Sequence, residues 1–246
     1  MDFYDEIAEN YDAITSATQR AAAAEGFLKG LLSRYTVRSV LDVACGTGMY
    51  AIGLARMGVR VVGVDLSQGM LDQAARLSEQ AGVSVQWVAA GMAELAPSVS
   101  DSFDAVICMG NSVPHLLDDE DLAATMEGFA RMARPGGVIV LQLLNYTKVL
   151  RQAQRVVGID KQGPMVYVRF YDFMGDRLQF NILEIDTAGG DCPHKLHTTV
   201  LRPYIWSDLE RALRSVGCAS VQLFGGLQFA PFDQERSETV MLVAQR

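Results

Sequence analysis

The sequence predicts an α/β fold built on a seven-stranded, mostly parallel sheet with helices on both faces. From residue 37 onward, short β-branched apolar runs alternate with amphipathic helical patterns. The run at 138–141 is continuously apolar, as a strand buried on both faces requires. A glycine-rich turn joins the first run to the next helical pattern. Half of the 246 residues are hydrophobic, enough for one sizeable core, so we expect residues 1–246 to form a single domain.

The elements of this domain follow from local patterns. Residues 1–36 predict a helical N-terminal cap, because the run Ala21–Ala24 has a high helix propensity. Leu, Met and Phe recur at three and four residues in Gly69–Gln80 and Asp119–Ala133, which indicates amphipathic helices. The predicted strands before the insert are Val37–Val43, Val59–Val64, Val83–Val88, Phe103–Cys108 and Gly137–Leu143.

Residues 163–204 switch to a period of two and predict a small antiparallel β insert, placed to act as a lid. The first strand alternates an apolar face with an aromatic and basic one formed by Tyr167, Arg169 and Tyr171. Two more strands are predicted at Leu178–Ile185 and Leu196–Leu201, the first of them after a turn at 174–176. The aromatic and basic face either closes over a substrate, lies exposed, or forms a dimer contact.

The C-terminal segment completes the sheet. Ser207 and Glu210 have the spacing of a capping box, which predicts a helix that starts there and ends near Gly217. Strands at Ala219–Phe224 and Thr239–Ala244 then form a last, hairpin-like pair.

Charge and composition exclude several classes of function. The net charge of -8 argues against a nucleic-acid partner. The acidic N-terminus does not resemble a signal peptide, and the longest apolar runs fall far short of the roughly 20 residues that span a bilayer. The four cysteines show neither close pairing nor metal-ligand spacing, and His194 and His197 form only a weak metal pair. We therefore expect a cytoplasmic protein with no membrane partner and no metal.

The most informative segment is the glycine loop after the first strand. Gly46 and Gly48 permit a tight turn and expose amide hydrogens at a helix N-terminus, where polar and anionic ligand groups bind. With Ala51 they also match the dinucleotide fingerprint. Asp65, at the end of the next strand, can accept hydrogen bonds from ribose hydroxyls, or it is merely a solvated strand-end acid or helix cap. These residues serve S-adenosylmethionine and NAD equally well.

The string 41–48, with Asp42 four residues before Gly46, resembles motif I of the class I S-adenosylmethionine-dependent methyltransferases. The similarity continues through 63–71, 103–106 and 109–116, and is greatest to glycine and sarcosine N-methyltransferases. The resemblance implies a Rossmann-like fold and methyl transfer from S-adenosylmethionine to a nitrogen or oxygen of a small molecule. Asp42 disfavours the alternative of an NAD-dependent oxidoreductase. A non-catalytic S-adenosylmethionine-binding protein is a further alternative.

By resemblance, Tyr4 and Tyr11 cover the cofactor, although they could equally pack the N-terminal helix. The complete set of cofactor-binding residues that we predict is Tyr4, Tyr11, Asp42, Ala44, Cys45, Gly46, Gly48, Asp65, Leu66, Met70, Gly91, Met92, Met109, Gly110 and Ser112.

Two departures from the family pattern bear on ligand recognition. Gly91 stands where the family has an acidic residue beside the adenine, and Leu144 where glycine N-methyltransferases have an arginine that holds the substrate carboxylate. Glycine is therefore an unexpected substrate, and either Arg169 or Arg202 could replace that arginine. The predicted acceptor-binding residues are Asn111, Asn145, Arg169, Tyr171 and Arg202.

His115 is the predicted catalytic residue, since it follows the fourth strand and a histidine can take a proton from an amine or hydroxyl near neutral pH. A structural hydrogen bond to the loop backbone is the alternative role. We expect a monomer or a homodimer.

Overall fold

The computed structural model describes residues 3–95, 99 and 101–246. Its strands are β1 (Ser39–Val43), β2 (Arg60–Asp65), β3 (Gln86–Ala89), β4 (Phe103–Cys108), β5 (Ala133–Leu144), β6 (Val156–Gln162), β7 (Met165–Met174), β8 (Arg177–Asp186), β9 (His194–Leu201), β10 (Ser220–Phe224) and β11 (Thr239–Gln245).

The α-helices are α1 (Phe3–Ile7), α2 (Tyr11–Ile14), α3 (Ala17–Arg34), α4 (Met49–Arg56), α5 (Gln68–Gln80), α6 (Asp119–Met132), α7 (Tyr146–Gln152) and α8 (Trp206–Ser215). Two short 3-10 helices span Met92–Glu94 and Val113–His115.

Seven strands form the main sheet in the order β10-β11-β5-β4-β1-β2-β3. The pairs β3–β2, β2–β1, β1–β4 and β4–β5 are parallel, whereas β11 runs antiparallel to both β5 and β10. The prediction of a seven-stranded, mostly parallel α/β sheet is confirmed. Because parallel strands end at the same edge, the loops after β1, β2, β4 and β5 meet at one place.

The core lies on both faces of the sheet. Val40 packs with Phe27 and Leu54 on the face covered by α3 and α4. The next residue, Leu41, packs with Phe129 of α6 on the opposite face. The continuous apolar character of these strands follows from this burial on two sides.

The antiparallel insert is a separate four-stranded sheet in the order β6-β7-β8-β9. The three strands predicted within 163–204 are confirmed, but the start of the insert was placed too late, since β6 already begins at Val156. This strand lies at the sheet edge and is mostly exposed, so its sequence lacks the clean alternation of a half-buried strand.

The aromatic and basic face of β7 points into the protein. Tyr167 packs against Ile7 and Ile14 of the N-terminal segment, and both Tyr167 and Tyr171 are buried. The alternative of an exposed sheet face is therefore wrong for these residues. The opposite face carries Ile159, which is 66% exposed.

The N-terminal cap is helical as predicted, with α1 to α3 covering residues 3–34, while Met1 and Asp2 lie outside the described residues. Two carboxylates of the cap bind it to helix α5 and to the glycine loop. Asp5 accepts a hydrogen bond from the backbone N of Gly69 at the start of α5 (3.0 Å), and Asp12 accepts one from Thr47 Oγ1 in the glycine loop (2.7 Å).

The predicted capping box at Ser207 is wrong. Helix α8 begins two residues earlier than a Ser207 N-cap requires, with Ile205 at the N-cap position and no side-chain cap. Tyr204, just before it, is buried and donates a hydrogen bond to the carbonyl of Leu116 (2.8 Å). This tertiary contact places the helix start, overriding the local signal of Ser207.

Within the residues that the structure describes, no helix is both long enough and apolar enough to cross a membrane.

Candidate functional site

The loop between β1 and α4 has an unusual backbone. Ala44, Gly46 and Gly48 all have positive φ values, of 54°, 56° and 82°. This conformation suits glycine, but Ala44 adopts it at a cost that the surrounding contacts must offset. Gly48 forms the N-cap of α4, so the loop ends on the positive pole of a helix.

Asp65 organises this loop from the end of β2. Its Oδ2 accepts a hydrogen bond from the backbone N of Gly46 (2.7 Å), and its Oδ1 accepts one from the backbone N of Ser67 (3.0 Å). Asp65 therefore holds the glycine loop in shape from the end of the neighbouring strand.

Two cavities meet at this edge of the sheet. The first, called the glycine-loop cavity, has a volume of about 410 Å³ and is lined by residues such as Gly46, Asp65 and Gly91. The second, called the insert cavity, has a volume of about 380 Å³ and is lined by residues such as Arg169 and Phe180. Both volumes fall in the usual range for small-molecule sites. The residues that line both cavities are Tyr4, Tyr11, Gly110 and His115.

Most of the predicted cofactor-binding residues come together in the glycine-loop cavity. Gly46 and Gly110 keep its walls open, because a Cβ on Gly110 would meet nothing within 4 Å and one on Gly46 only Tyr11. The predicted residues that line this cavity are Tyr4, Tyr11, Ala44, Gly46, Asp65, Leu66, Met70, Gly91, Met92, Gly110 and Ser112.

Asp42, Cys45 and Met109 line a smaller cavity of about 40 Å³ that shares its wall at Gly46 with the larger one. Gly48, which is also among the predicted cofactor-binding residues, does not line these three cavities. A Cβ at Gly48 would lie 2.6 Å from the Trp87 ring. Glycine is required at position 48 because a side chain would collide with the Trp87 ring and because the turn needs a positive φ.

The small cavity is lined by an acidic and a basic residue that each have a buried polar atom. Asp42 Oδ2 and Arg20 Nε are both buried, and neither has a hydrogen-bond partner among the described residues. Buried polar atoms are normally paired, so each atom calls for a ligand group. A zwitterionic amino acid group would satisfy both, with its ammonium at Asp42 and its carboxylate at Arg20.

Burial raises the pKa of Asp42 to about 8, while a backbone hydrogen bond from Ala51 lowers it in part. Because this pKa exceeds that of an ordinary aspartate, 3.8, the folded protein without ligand binds the proton more tightly than the unfolded chain does. The stability gained from this proton is complete below pH 4 and is lost as the pH rises to about 8.

We expect the free energy of unfolding of Asp42→Asn to rise relative to wild type as the pH increases, because asparagine keeps the shape and never ionises. The limiting slope is about 1.4 kcal/mol per pH unit. Urea unfolding of both ligand-free proteins at pH 5.5 and pH 8.5 measures it. A difference between the two proteins that does not change with pH would contradict the raised pKa.

His115 lies in the wall between the two cavities. Its Nε2 is 2.7 Å from the hydroxyl of Tyr4, and the two rings meet edge to face at 5.2 Å. The structure thus connects the predicted catalytic residue to the predicted cofactor cover. This contact joins His115 to a side chain, whereas the alternative structural role was a hydrogen bond from His115 to the loop backbone.

Of the predicted acceptor-binding residues, Asn111, Arg169 and Tyr171 line the insert cavity. Arg202 does not, because it forms an ion pair with Asp119 (2.7 Å) on the outer side of the insert. The position of Arg169 makes it the better candidate to replace the family arginine.

Asn145 is also placed outside both cavities. It is buried, and its Nδ2 donates hydrogen bonds to the carbonyl oxygens of Gln234 and Ser237 (both 2.9 Å). It ties the end of β5 to the segment before β11.

Sequence reasoning missed two charged residues of this site. Arg20 lies in an alanine-rich helix and belongs to no motif, so only the tertiary structure brings it to the loop. Glu94 lines the glycine-loop cavity, and its Oε2 would be 3.8 Å from a Cβ on Gly91. Its position three residues after Gly91, in a 3-10 turn, is the one signal that could have identified it as the missing acid.

Comparisons with known proteins agree with this geometry. Residues 40–137 match the model of a family described as a methyltransferase domain. A glycine/sarcosine N-methyltransferase from Parasynechococcus marenigrum is 31% identical over 156 residues, which is 63% of this chain and 55% of that protein. Rat (Rattus norvegicus) glycine N-methyltransferase is 38% identical over 150 residues, covering 56% of this chain and 50% of that protein. The chain thus spans about half the length of these relatives.

Among solved structures, an S-adenosylmethionine-dependent methyltransferase from Clostridium acetobutylicum superimposes with a TM-score of 0.82 over 99% of both chains. Its sequence is only 19% identical, so this similarity concerns the fold alone.

Proposed function

We propose that this chain, which belongs to the class I S-adenosylmethionine-dependent methyltransferases, moves a methyl group to a nitrogen or oxygen of a small molecule. The single observation that supports this best is the pair of cavities that share a wall of Tyr4, Tyr11, Gly110 and His115. A methyl donor on the glycine-loop side and an acceptor on the insert side would face each other across that wall.

The residues of the glycine-loop cavity fit S-adenosylmethionine. When bound, this cofactor supplies an electrophilic methyl group on a sulfonium centre. Asp65 would hold the ribose hydroxyls, and Glu94, beside Gly91, would provide the carboxylate near the adenine. Asp42 and Arg20 would hold the amino acid end, where their buried atoms require partners.

Methyl transfer by in-line displacement depends chiefly on alignment, and alignment can supply on the order of 7 to 11 kcal/mol of barrier reduction. The N-terminal segment provides it by packing Tyr4 and Tyr11 over both cavities and excluding water. The insert, with Tyr171 and Arg169 lining its cavity, is proposed as the lid that selects the acceptor.

His115 is proposed to remove the proton that the acceptor loses. In the tautomer with the proton on Nδ1, His115 Nε2 would accept the hydrogen bond from the Tyr4 hydroxyl, and Tyr4 would pass its proton to His115 as it takes one from the acceptor nitrogen or oxygen. The imidazole ends the step as an imidazolium, and the Tyr4 hydroxyl is restored.

Nitrogen is the favoured target, because the two relatives named above, at 31% and 38% identity, are N-methyltransferases and match a longer part of this chain than the ubiquinone biosynthesis O-methyltransferase that is 36% identical over 108 residues. The alternative of an NAD-dependent oxidoreductase has no support from these relatives. We further propose a single-domain cytoplasmic enzyme, monomeric or homodimeric. Its net charge of -8 supports a small-molecule acceptor over a nucleic acid.

Thermal-shift titrations with S-adenosylmethionine, S-adenosylhomocysteine and NAD test the cofactor. We expect the melting temperature to rise with the first two and not with NAD. A panel of amines and phenols, with formation of S-adenosylhomocysteine as the readout, then tests catalysis. Stabilisation by NAD alone would contradict the proposal, and cofactor binding without turnover of any acceptor would favour the non-catalytic binding protein.

A further inference from the structure

Gln142 is a buried polar residue in a strand that is otherwise apolar at its centre. Its neighbours in β5, Leu141 and Leu143, are fully buried, and Gln142 itself is only 8% exposed. A strand covered on both faces normally carries apolar side chains, because burying a carboxamide is unfavourable unless it forms hydrogen bonds. The side chain of Gln142 lines the insert cavity. Its hydrogen bonds therefore show what it contributes there.

A hydrogen bond from the turn after β4 fixes the orientation of this carboxamide. The backbone N of Gly110 donates to Gln142 Oε1 (2.8 Å). In the reversed orientation two donors would face each other, so the free end of the side chain is identified as the NH₂ group. The backbone oxygen of Gln142 also accepts a hydrogen bond from the backbone N of Asn111 (3.1 Å). Gln142 thus holds both residues of the turn.

The turn itself forms part of the wall between the two cavities. Gly110 lines both of them, and Asn111 lines the insert cavity. Both residues have positive φ values, of 76° and 71°. This conformation is unusual for Asn111, and its hydrogen bonds with Gln142 and Leu144 stabilise it. The carboxamide of Gln142 is therefore held one hydrogen bond away from the place where a methyl donor and an acceptor would meet.

The NH₂ group of Gln142 is the part of this side chain that is left for a ligand. Nε2 has no hydrogen-bond partner among the described residues, although Oε1 and the backbone oxygen both accept hydrogen bonds. A donor in a side chain that is more than nine-tenths buried normally has an acceptor. Because the side chain lines the insert cavity, an acceptor group in that cavity can supply the missing hydrogen bond.

We propose that Gln142 is a specificity-determining residue, whose NH₂ group donates a hydrogen bond to an uncharged oxygen of the methyl acceptor. This inference rests on the proposed function and names the substrate class: an amine or hydroxyl compound with an ether, carbonyl or hydroxyl oxygen close to the atom that receives the methyl group. An amide donor has no net charge, so it matches an uncharged oxygen, whose removal from water costs less than that of an anion.

The oxygen that Gln142 binds differs from the methylated atom when that atom is nitrogen. An amine attacks through its one lone pair, and a hydrogen bond donated to this lone pair would block the attack. Gln142 therefore binds a second atom of the acceptor. Since its carboxamide lies directly behind the shared wall, this second contact fixes the direction of the nucleophile's lone pair, on which an in-line displacement depends.

Pairs of amines that differ by one oxygen test the proposal. The probes are tetrahydrofurfurylamine with cyclopentylmethylamine, 2-methoxyethylamine with butylamine, and 2-methoxyaniline with 2-ethylaniline, each pair exchanging an ether oxygen for a methylene group. Calorimetry or ligand-observed NMR, with saturating S-adenosylhomocysteine, gives the dissociation constant of each probe. The dissociation constant of the methylene compound divided by that of its oxygen counterpart is called the oxygen preference of the pair.

We expect the oxygen preference of at least one pair to fall about three- to tenfold in Gln142→Met, the contribution of one uncharged hydrogen bond. Methionine is similar in size to glutamine and has no donor. Damage to the turn would change the affinity of both members of a pair alike, so the ratio isolates the contact with oxygen. Gln222→Met is the matched control, because Gln222 is exposed on β10 and lies outside the described lining of both cavities. It should keep the wild-type preference.

The wild-type protein allows a second measurement that needs no folded variant. In nitrogen-15 NMR spectra, the side-chain NH₂ signals of Gln142 should shift when an oxygen-containing probe binds. They should shift less with the methylene counterpart, because that compound offers no acceptor to the NH₂ group.

An unchanged oxygen preference for every pair in folded Gln142→Met would overturn the proposal, as would the absence of binding by all of the probes. If Gln142→Met does not fold, equal shifts of the NH₂ signals with both members of every pair would overturn it. Failure of the wild-type protein to bind S-adenosylhomocysteine would instead contradict the proposed function, while the titrations without it still measure the oxygen preference.

Discussion

Replacing His115 with alanine is expected to lower kcat by about 10²- to 10⁴-fold for any acceptor found in the panel, the usual contribution of a general base. The variant loses the Nε2 atom that lies 2.7 Å from the Tyr4 hydroxyl. Tyr4 can then no longer pass a proton on. Steady-state kinetics of the wild-type and variant enzymes with the same acceptor would measure the loss.

His194→Ala is the matched control for this variant, since His194 is exposed on β9 and should leave kcat unchanged. The dissociation constant of S-adenosylhomocysteine should change by less than about threefold in His115→Ala, because a proton acceptor contributes to the reaction and little to ground-state binding. If kcat is retained, the contact with Tyr4 is structural, and the N-terminal segment is simply fastened there.

Asp65→Ala is expected to weaken binding of S-adenosylmethionine by about 10- to 100-fold, since hydrogen bonds to a charged acceptor are worth about 1.5 to 3 kcal/mol. The structure adds a second reason for a large effect. Asp65 also accepts the amide hydrogens of Gly46 and Ser67, so its loss frees the loop that binds the ligand. Calorimetry at fixed salt concentration gives the dissociation constant directly.

The exposed Asp72 on α5 provides the comparison, because Asp72→Ala removes the same charge from a nearby helix. The affinity of Asp72→Ala for S-adenosylmethionine should match that of the wild-type protein. Circular dichroism should show that Asp65→Ala remains folded, since this aspartate lies at a strand end outside the main core. An unchanged affinity in the folded Asp65 variant would remove this residue from the binding site.

The glycine-loop side of the candidate site was largely predictable from the sequence, because it is built from consecutive residues at strand ends. The glycine loop follows β1 directly and Asp65 ends β2, so pairing of these two parallel strands is enough to bring Asp65 to Gly46. Arg20 and Glu94 escaped prediction because neither belongs to a motif. Their proximity to the loop depends on how α3 and a 3-10 turn pack.

The insert side of the candidate site depended on tertiary structure. Arg169 and Arg202 were equal candidates in the sequence, and they separate only because the pleat of β7 turns Arg169 inward while Arg202 pairs with Asp119 after β9. The orientation of the Asn111 amide is also a result of the fold, which brings its Oδ1 to the backbone N of Leu144 and its Nδ2 to the Tyr146 hydroxyl.

By itself, therefore, the sequence determined the fold class, the alternation of strands and helices in the main sheet, and the residues of the glycine loop, because hydrophobic periodicity and backbone requirements act over a few consecutive positions. The tertiary structure alone decided the start of the insert at Val156, the burial that raises the pKa of Asp42, and which of the two arginines lines the insert cavity. Burial and hydrogen-bond direction depend on contacts between residues far apart in the chain, and no local pattern encodes them.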